Sequence, residues 1–191
     1  MSKGYNDYFP VLSRSSAVGY GRYADFAVSL AGADFSGVSY ADRVALLHDI
    51  LSKKIHGISY SPYMDGQSPG TEISEEQILH RLNIIKPYTQ WIRTFSCIEG
   101  NQNTPRIAHE NGLKTMVGIG LGDDHEKNEI EFENAIEIAK AGHANILAVG
   151  NEVLLRGDLT EDELLEYIER AKKVVPGIPV GYVDAYFLFE N

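Results

Sequence analysis

Beyond residue 54, short apolar runs alternate with segments whose apolar residues recur at helical spacing. The runs are typical of strands in a buried parallel sheet, and the amphipathic segments are typical of helices packed on that sheet. Capping boxes, at Ser74 with Gln77 and at Thr160 with Glu163, mark the starts of two helices. A repeated strand–helix unit predicts an α/β fold. The predicted strands are residues 55–60, 91–95, 114–121, 146–152 and 178–183.

Two architectures fit this repeat. A doubly wound sheet that binds a dinucleotide would carry Gly-x-Gly-x-x-Gly after its first strand, and the loop at residues 61–66 contains nothing similar. The glycines of residues 118–122 have the wrong spacing for a phosphate loop, so close backbone packing is the preferred interpretation. Polar residues at the predicted strand ends favour a (β/α)8 TIM-barrel type instead. They are Tyr60, Arg93, Asp123 and Glu152.

The chain contains only about four and a half of the eight units that a closed barrel needs. The prediction is therefore a barrel truncated after about strand five, which is either a fragment or is completed by a second chain. Its first and fifth strands would leave open edges, which predicts self-association. Residues 1–53 are rich in Ser, Gly, Ala and Tyr, with one helix expected near residues 40–53 and capped by Ser39. We assign residues 1–53 to an N-terminal extension, either lying on the barrel or partly disordered, and residues 54–191 to the partial barrel.

Composition narrows the classes of partner. The formal charge of −10 over 191 residues argues against nucleic acid, because phosphate binding needs clustered Lys and Arg. No apolar stretch is long enough to span a membrane, and the first residues lack the apolar core of a signal peptide. The single Cys97 fits a reducing compartment, so the sequence as it stands predicts a cytoplasmic protein. Eleven Tyr, seven Phe and one Trp would suit a sugar-binding cleft, but also an ordinary interior.

The fourth predicted strand carries the leading candidate for chemistry, because its apolar run breaks at Gly150 and is followed by Asn151 and Glu152. A carboxylic acid in a cleft can donate a proton to a leaving oxygen, which is half of a glycosidase. The other half is a second carboxylate, about 5 Å away in a retaining enzyme. Asn151 could hydrogen-bond a sugar hydroxyl beside the scissile bond. The alternative is that Glu152 pairs with Arg156 on a polar loop.

Two further strand residues are candidates for the same rim. Arg93 lies within an apolar strand, where a charge is rarely unpaired, so its expected partner is a carboxylate in the barrel mouth. The alternative for Arg93 is escape to solvent at the strand end. Tyr60 is expected to face the rim with its hydroxyl, or else to be a packed core residue. The acidic residues 123–126 resemble a metal cluster but are better explained as charges that complement a helix N-terminus, and the histidines lack ligand spacing.

Several motifs taken together resemble glycoside hydrolase family 17, whose members are β-1,3-glucanases and glucanosyltransferases on a (β/α)8 barrel. The resemblance is closest to the bacterial branch and runs from about residue 54 to the end of the chain. Its most specific part is Gly-Asn-Glu-Val after the fourth strand. The motifs are His-Gly-Ile-Ser-Tyr-Ser-Pro-Tyr at 56–63, Ile-Arg-Thr-Phe-Ser at 92–96, Gly-Leu-Lys at 112–114 followed by Val-Gly-Ile at 117–119, and Val-Gly-Asn-Glu-Val-Leu-Leu-Arg at 149–156.

The resemblance implies that Glu152 is the general acid/base of a retaining β-1,3-glucan hydrolase, and that Tyr60, Arg93 and Asn151 bind the β-glucan or oligosaccharide. It implies no cofactor and no metal, and family members are often secreted or envelope-associated. The family often has Tyr at the position of Phe95 and Trp at that of Gly120.

The family's nucleophile is a Glu at the end of strand seven, and Glu190 lies too early in the chain to replace it. We therefore expect a fragment that lacks the nucleophile and is inactive alone. The rival hypotheses are a non-catalytic carbohydrate-binding or regulatory protein and a truncated product without a function of its own.

Overall fold

The computed structural model describes residues 34–189, so residues 1–33, Glu190 and Asn191 lie outside the described part. A boundary after Ile55 divides the structure into two compact units. The described part of the first unit contains helix α1 (Tyr40–Ser52), whose start confirms the predicted cap, because the Ser39 hydroxyl accepts a hydrogen bond from the backbone N–H of Asp42. The assignment of residues 1–53 to an extension stays a prediction.

The second unit is built on one parallel sheet. Its strands follow the order of the chain, β1-β2-β3-β4-β5, and each strand is followed by helical structure. This arrangement confirms the predicted strand–helix repeat and the α/β fold class. Strands β1 and β5 are the edges of the described sheet, and self-association through these edges stays a prediction. The strands are β1 (Ile55–Ser59), β2 (Thr89–Arg93), β3 (Lys114–Ile119), β4 (Ile146–Asn151) and β5 (Val180–Val183).

The helices begin where the sequence signals placed them. Thr160 and Glu163 form the predicted capping box at the start of the sixth helix. At Ser74 only half of the predicted box is present, because the side chain of Gln77 donates to Pro62 O, 2.9 Å away, instead of returning to the cap. The helices are α2 (Glu75–Ile85), α3 (Thr104–Glu110), α4 (His125–Lys140), α5 (Val153–Arg156) and α6 (Glu161–Val174), with 3-10 turns at Asn101–Asn103 and Tyr186–Phe189.

Apolar side chains from the helices cover the sheet in two clusters. The larger joins β3 and β4 to α4 and α6, and the smaller joins the chain around β1 and β2 to α2 and α3. Each fully buried Leu or Ile contributes about 1.5–3 kcal/mol relative to exposure. On α4 the apolar residues Phe132, Ala135, Ile136 and Ala139 are buried. Ile168 on α6 and Ile85 on α2 are only partly buried.

Two local expectations concern glycine and acidic residues near β3. A side chain at Gly118 would collide with the backbone carbonyl of Thr94, which confirms close packing as the role of this glycine. Asp124 caps α4 by accepting a hydrogen bond from the backbone N–H of Lys127, 3.1 Å away, which confirms the helix-start interpretation of residues 123–126. Within residues 34–189, no helix combines the length and apolar character needed to cross a membrane.

Candidate active site

The backbone at the end of β4 makes an unusual turn. The pairing with β5 shifts register between Ala148 and Asn151, and Gly150 has a φ of 83°. Glu152 then adopts a left-handed conformation with φ 56° and ψ 27°, which few residues other than glycine occupy. Its backbone N–H donates to Val183 O, 2.8 Å away on β5. A register shift of this kind redirects the chain at a strand end and places the Glu152 side chain at the carboxyl end of the sheet.

The Glu152 carboxylate is exposed, and no described residue gives it a hydrogen bond or a salt bridge. The alternative pairing with Arg156 is wrong, because the Arg156 guanidinium is used elsewhere. It forms a salt bridge with Asp158 at 2.5 Å and donates to the carbonyl oxygens of Asn151 and Leu121. The carboxylate is therefore available to a ligand at this edge.

Arg93 brings positive charge from β2 to the same place. Its Nη2 donates to Asn151 Oδ1 at 2.5 Å, and the guanidinium carbon lies 4.6 Å from the centre of the Phe95 ring. Burial lowers the pKa of Arg93, and the negative charge of Glu152 acts in the opposite direction. The expected carboxylate partner thus acts through charge, whereas the direct hydrogen bond goes to the neighbouring amide. The structure brings Arg93, Asn151 and Glu152 together.

Tyr60 is placed differently from the other candidates. Its side chain is buried, and its hydroxyl donates to Ile78 O, 3.1 Å away on α2. Burial raises the pKa of the Tyr60 hydroxyl, with a smaller opposing effect from Arg81. The expectation of a hydroxyl that faces the rim is wrong, because the hydroxyl satisfies a helix carbonyl in the core. Tyr60 also lines the neighbouring cleft.

This cleft has a volume of about 660 Å³ and lies at the carboxyl ends of β1, β2 and β3. Aromatic rings, buried polar groups and side chains of both charges line it, a combination that suits a polar ligand with apolar faces. Its lining residues include Tyr60, Tyr63, Phe95, Ser96, Glu99, Asn101, Thr104, Gly120, Lys127, Glu131 and Arg156.

Glu131 of α4 lies at this cleft with only 1% of its surface exposed. It accepts hydrogen bonds from the Ser96 hydroxyl, from Cys97 N at 2.6 Å and from Gly120 N at 3.1 Å. Burial raises the pKa of Glu131 even though these hydrogen bonds lower it. Glu131 was not among the residues that the sequence predicted for the site. The signal was its position on the buried face of α4, four residues before Ala135.

Comparison with known proteins identifies the family. A family model for the BtgE/BtgC glycoside hydrolase domain matches residues 57–190, which is most of the chain. The chain belongs to this family. The match covers all five strands except the first two residues of β1.

Curated relatives of this glycoside hydrolase domain include two fungal enzymes. Glucan 1,3-beta-glucosidase BGL2 of Candida albicans is 32% identical over 120 residues, covering 55% of this chain and 39% of the relative. A glucan 1,3-beta-glucosidase of Arthroderma benhamiae is 34% identical over 105 residues, covering 53% of this chain and 34% of the relative. The chain thus spans well under half the length of the curated relatives it matches.

Two solved structures share the fold. The glycoside hydrolase family 17 beta-1,3-glucanosyltransferase from Rhizomucor miehei superposes with a TM-score of 0.60 at 28% identity, covering 72% of this chain and 52% of that one. An active-site mutant of the Rhizomucor enzyme in complex with laminaritriose gives a TM-score of 0.59 at 27% identity, covering 71% of this chain and 52% of that one. The resemblance to family 17 and the barrel-type fold are confirmed.

One departure of this glycoside hydrolase domain from the family pattern has a structural explanation. A Cβ at Gly120 would lie 2.8 Å from Glu131 Oε1 and 3.2 Å from Phe95 O. The Gly120 backbone N–H also donates to Glu131. A side chain at this position would therefore displace the buried carboxylate, so Glu131 and Gly120 fit together as a pair.

Proposed function

We propose that this chain carries the acid/base residue and the adjoining sugar-binding surface of a retaining β-1,3-glucan hydrolase. The observation that supports this proposal is the free carboxylate of Glu152 beside the linked Arg93 and Asn151 side chains. The family match and the names of the β-1,3-glucan enzymes that resemble the chain support the substrate class.

In the proposed reaction Glu152, in its acid form, donates its proton to the glycosidic oxygen as the bond to the leaving sugar breaks. A second carboxylate attacks the anomeric carbon and forms a covalent glycosyl intermediate. Glu152, now ionised, then removes a proton from water, which hydrolyses that intermediate. We propose that the second carboxylate comes from a segment outside residues 34–189.

The neighbours of Glu152 have separate roles in this proposal. Arg93 occupies Asn151 Oδ1, which leaves Asn151 Nδ2 free to donate to a sugar hydroxyl. The negative charge of Glu152 lies close enough to Arg93 to oppose the lowering of the Arg93 pKa by burial, so the two side chains face the same site with opposite charges. Tyr60 contributes the face of its ring to the cleft, because its hydroxyl is bonded to Ile78 O.

Titration of the chain with laminaritriose, followed by NMR, tests the proposed substrate class without requiring turnover. We expect saturable shifts at Arg93, Asn151 and Glu152, with much weaker effects from maltotriose, whose linkage differs. Arg93→Met should weaken the binding, because it releases the Asn151 amide. Shifts confined to residues 1–53, or equal responses to both sugars, would contradict the proposal.

A further inference from the structure

We propose that Tyr182 and Asp184 are positioning residues that hold the turn carrying Glu152. The inference rests on the proposed role of Glu152 as the acid/base, because positioning matters only if that side chain takes part in the reaction. Both residues lie at the end of β5, next to the end of β4 in the sheet. Neither residue stood out in the sequence.

The hydroxyl of Tyr182 links the two strand ends. It accepts a hydrogen bond from the backbone N–H of Leu154, 3.0 Å away, and donates its proton to Asp184 Oδ2. Asp184 is fixed in turn, because Oδ1 accepts from Ala185 N at 2.7 Å and Oδ2 lies 3.4 Å from Leu155 N. The backbone N–H groups of Leu154 and Leu155, just after Glu152, are therefore held by side chains from the end of β5.

The ring of Tyr182 contacts the other side of the same turn. A Cβ at Gly150 would lie 3.3 Å from Tyr182 Cε2 and 3.4 Å from the methyl groups of Val153. Tyr182 thus packs against the residue two positions before Glu152 and hydrogen-bonds the residue two positions after it. Together with the bond from Glu152 N to Val183 O, these contacts fix the backbone on both sides of the acid/base.

The conformation of Glu152 explains why such support is needed. A non-glycine residue with a φ of 56° persists only where its surroundings hold it, and such residues concentrate at functional sites. The exposed Glu152 side chain has no hydrogen-bond partner among the described residues that would set its direction. The backbone therefore fixes only where the side chain starts and the direction of its Cα–Cβ bond, and the reach of the carboxyl to the glycosidic oxygen depends on that starting point.

The test compares two Tyr→Phe variants of the full chain. Tyr167 is a matched control, because its hydroxyl also donates to a carboxylate, Glu129 Oε1 at 2.9 Å, but it lies on α6. We expect Tyr182→Phe to speed hydrogen exchange at the Leu154 amide about five-fold, because that amide loses one hydrogen bond. The same variant should change the NMR shift that laminaritriose causes at the Glu152 carboxyl carbon. Tyr167→Phe should leave both readouts at Glu152 and Leu154 unchanged.

The proposal is overturned if the Glu152 carboxyl signal responds to laminaritriose equally in both variants and the wild type. Should Tyr182→Phe fail to fold, Asp184→Asn provides the same readouts, since it keeps the shape and weakens the bond to Tyr182. In a protein that contains both this chain and the segment supplying the second carboxylate, Tyr182→Phe should lower kcat several-fold with KM nearly unchanged. Full activity of Glu152→Gln would refute the acid/base role alone, whereas an altered Glu152 signal in Tyr182→Phe would still support the positioning contacts.

Discussion

Glu131 and Glu152 both lie at the carboxyl end of the sheet, but their surroundings are opposite. Glu131 is buried and receives hydrogen bonds from Ser96, Cys97 and Gly120, which follow β2 and β3. Glu152 is exposed, and the described residues hold its backbone rather than its carboxylate. The Glu131 carboxylate links the loops after β2 and β3 by hydrogen bonds. The Glu152 carboxylate has no such partner among the described residues, although hydrogen bonds hold the backbone turn that carries it.

The difference separates two uses of one residue type. A buried carboxylate that accepts three hydrogen bonds has little capacity left for a ligand, and its removal leaves donors unsatisfied. An acid/base residue needs a carboxylate that reaches the substrate and exchanges a proton with it. On this basis we propose that Glu131 stabilises the cleft and that Glu152 performs the chemistry.

The largest expected effect concerns stability at these two positions. Glu131→Ala should lower the free energy of unfolding by about 3 kcal/mol, because one buried donor, Cys97 N, and two half-buried donors lose their acceptor. Glu152→Ala should change it by less than about 0.5 kcal/mol, as expected for an exposed side chain without partners. Urea denaturation of both variants measures the difference. Equal losses would mean that the two glutamates are not distinguished by their surroundings.

A smaller loss of stability is expected from Gly150→Ala, which tests whether the turn before Glu152 needs a glycine at this position. The left-handed φ of 83° and the contacts with Tyr182 and Val153 should together cost about 1–2 kcal/mol. Gly177→Ala is the control, since Gly177 has no positive φ and no neighbour near the added carbon. If both variants unfold at the same urea concentration, the turn at Gly150 is not held by the contacts described above.

The smallest expected effect is a change in the pH dependence of stability. Burial raises the pKa of Glu131 above its ordinary value of 4.5, so the folded state keeps this proton after the unfolded state has lost it. The contribution of Glu131 to stability therefore falls as the pH rises from about 4.5 through the folded pKa. Glu131→Gln should remove that decline and flatten the profile. The measurement is the urea midpoint of variant and wild type at several pH values from acid to neutral. If the two curves of midpoint against pH were parallel, Glu131 would not be the cause of the decline.

Local signals predicted much of the fold and one part of the site. The strand–helix repeat, the caps at Ser39 and Thr160, and the carboxylate at the end of β4 all follow from neighbouring residues in the chain. By contrast, Glu131 accepts from Ser96 and Cys97, which lie 35 and 34 residues earlier in the chain. Tyr182 accepts from Leu154, 28 residues earlier.

Two expectations differ from the structure, one in the bounds of a strand and one in the partner of a hydroxyl. Strand β2 was expected at residues 91–95 but begins at Thr89, whose hydroxyl donates within its own strand and is buried. The expected rim hydroxyl of Tyr60 instead binds the carbonyl of Ile78, a contact that only the packing of α2 on the sheet creates. Apolar pattern locates an element, but it does not indicate which distant polar group a buried hydroxyl will reach.

The acid role of Glu152 is tested most directly with the Glu152→Gln variant of a protein that contains both this chain and the segment supplying the second carboxylate. The measurement compares its turnover of two substrates. An unactivated β-1,3-glucan needs its leaving oxygen protonated, so turnover should fall by about 10²–10⁴-fold. A substrate whose leaving group needs no proton should lose far less in its first step, and Glu131→Gln should affect both substrates equally. Equal losses on the two substrates with Glu152→Gln would contradict the assignment of Glu152 as the acid.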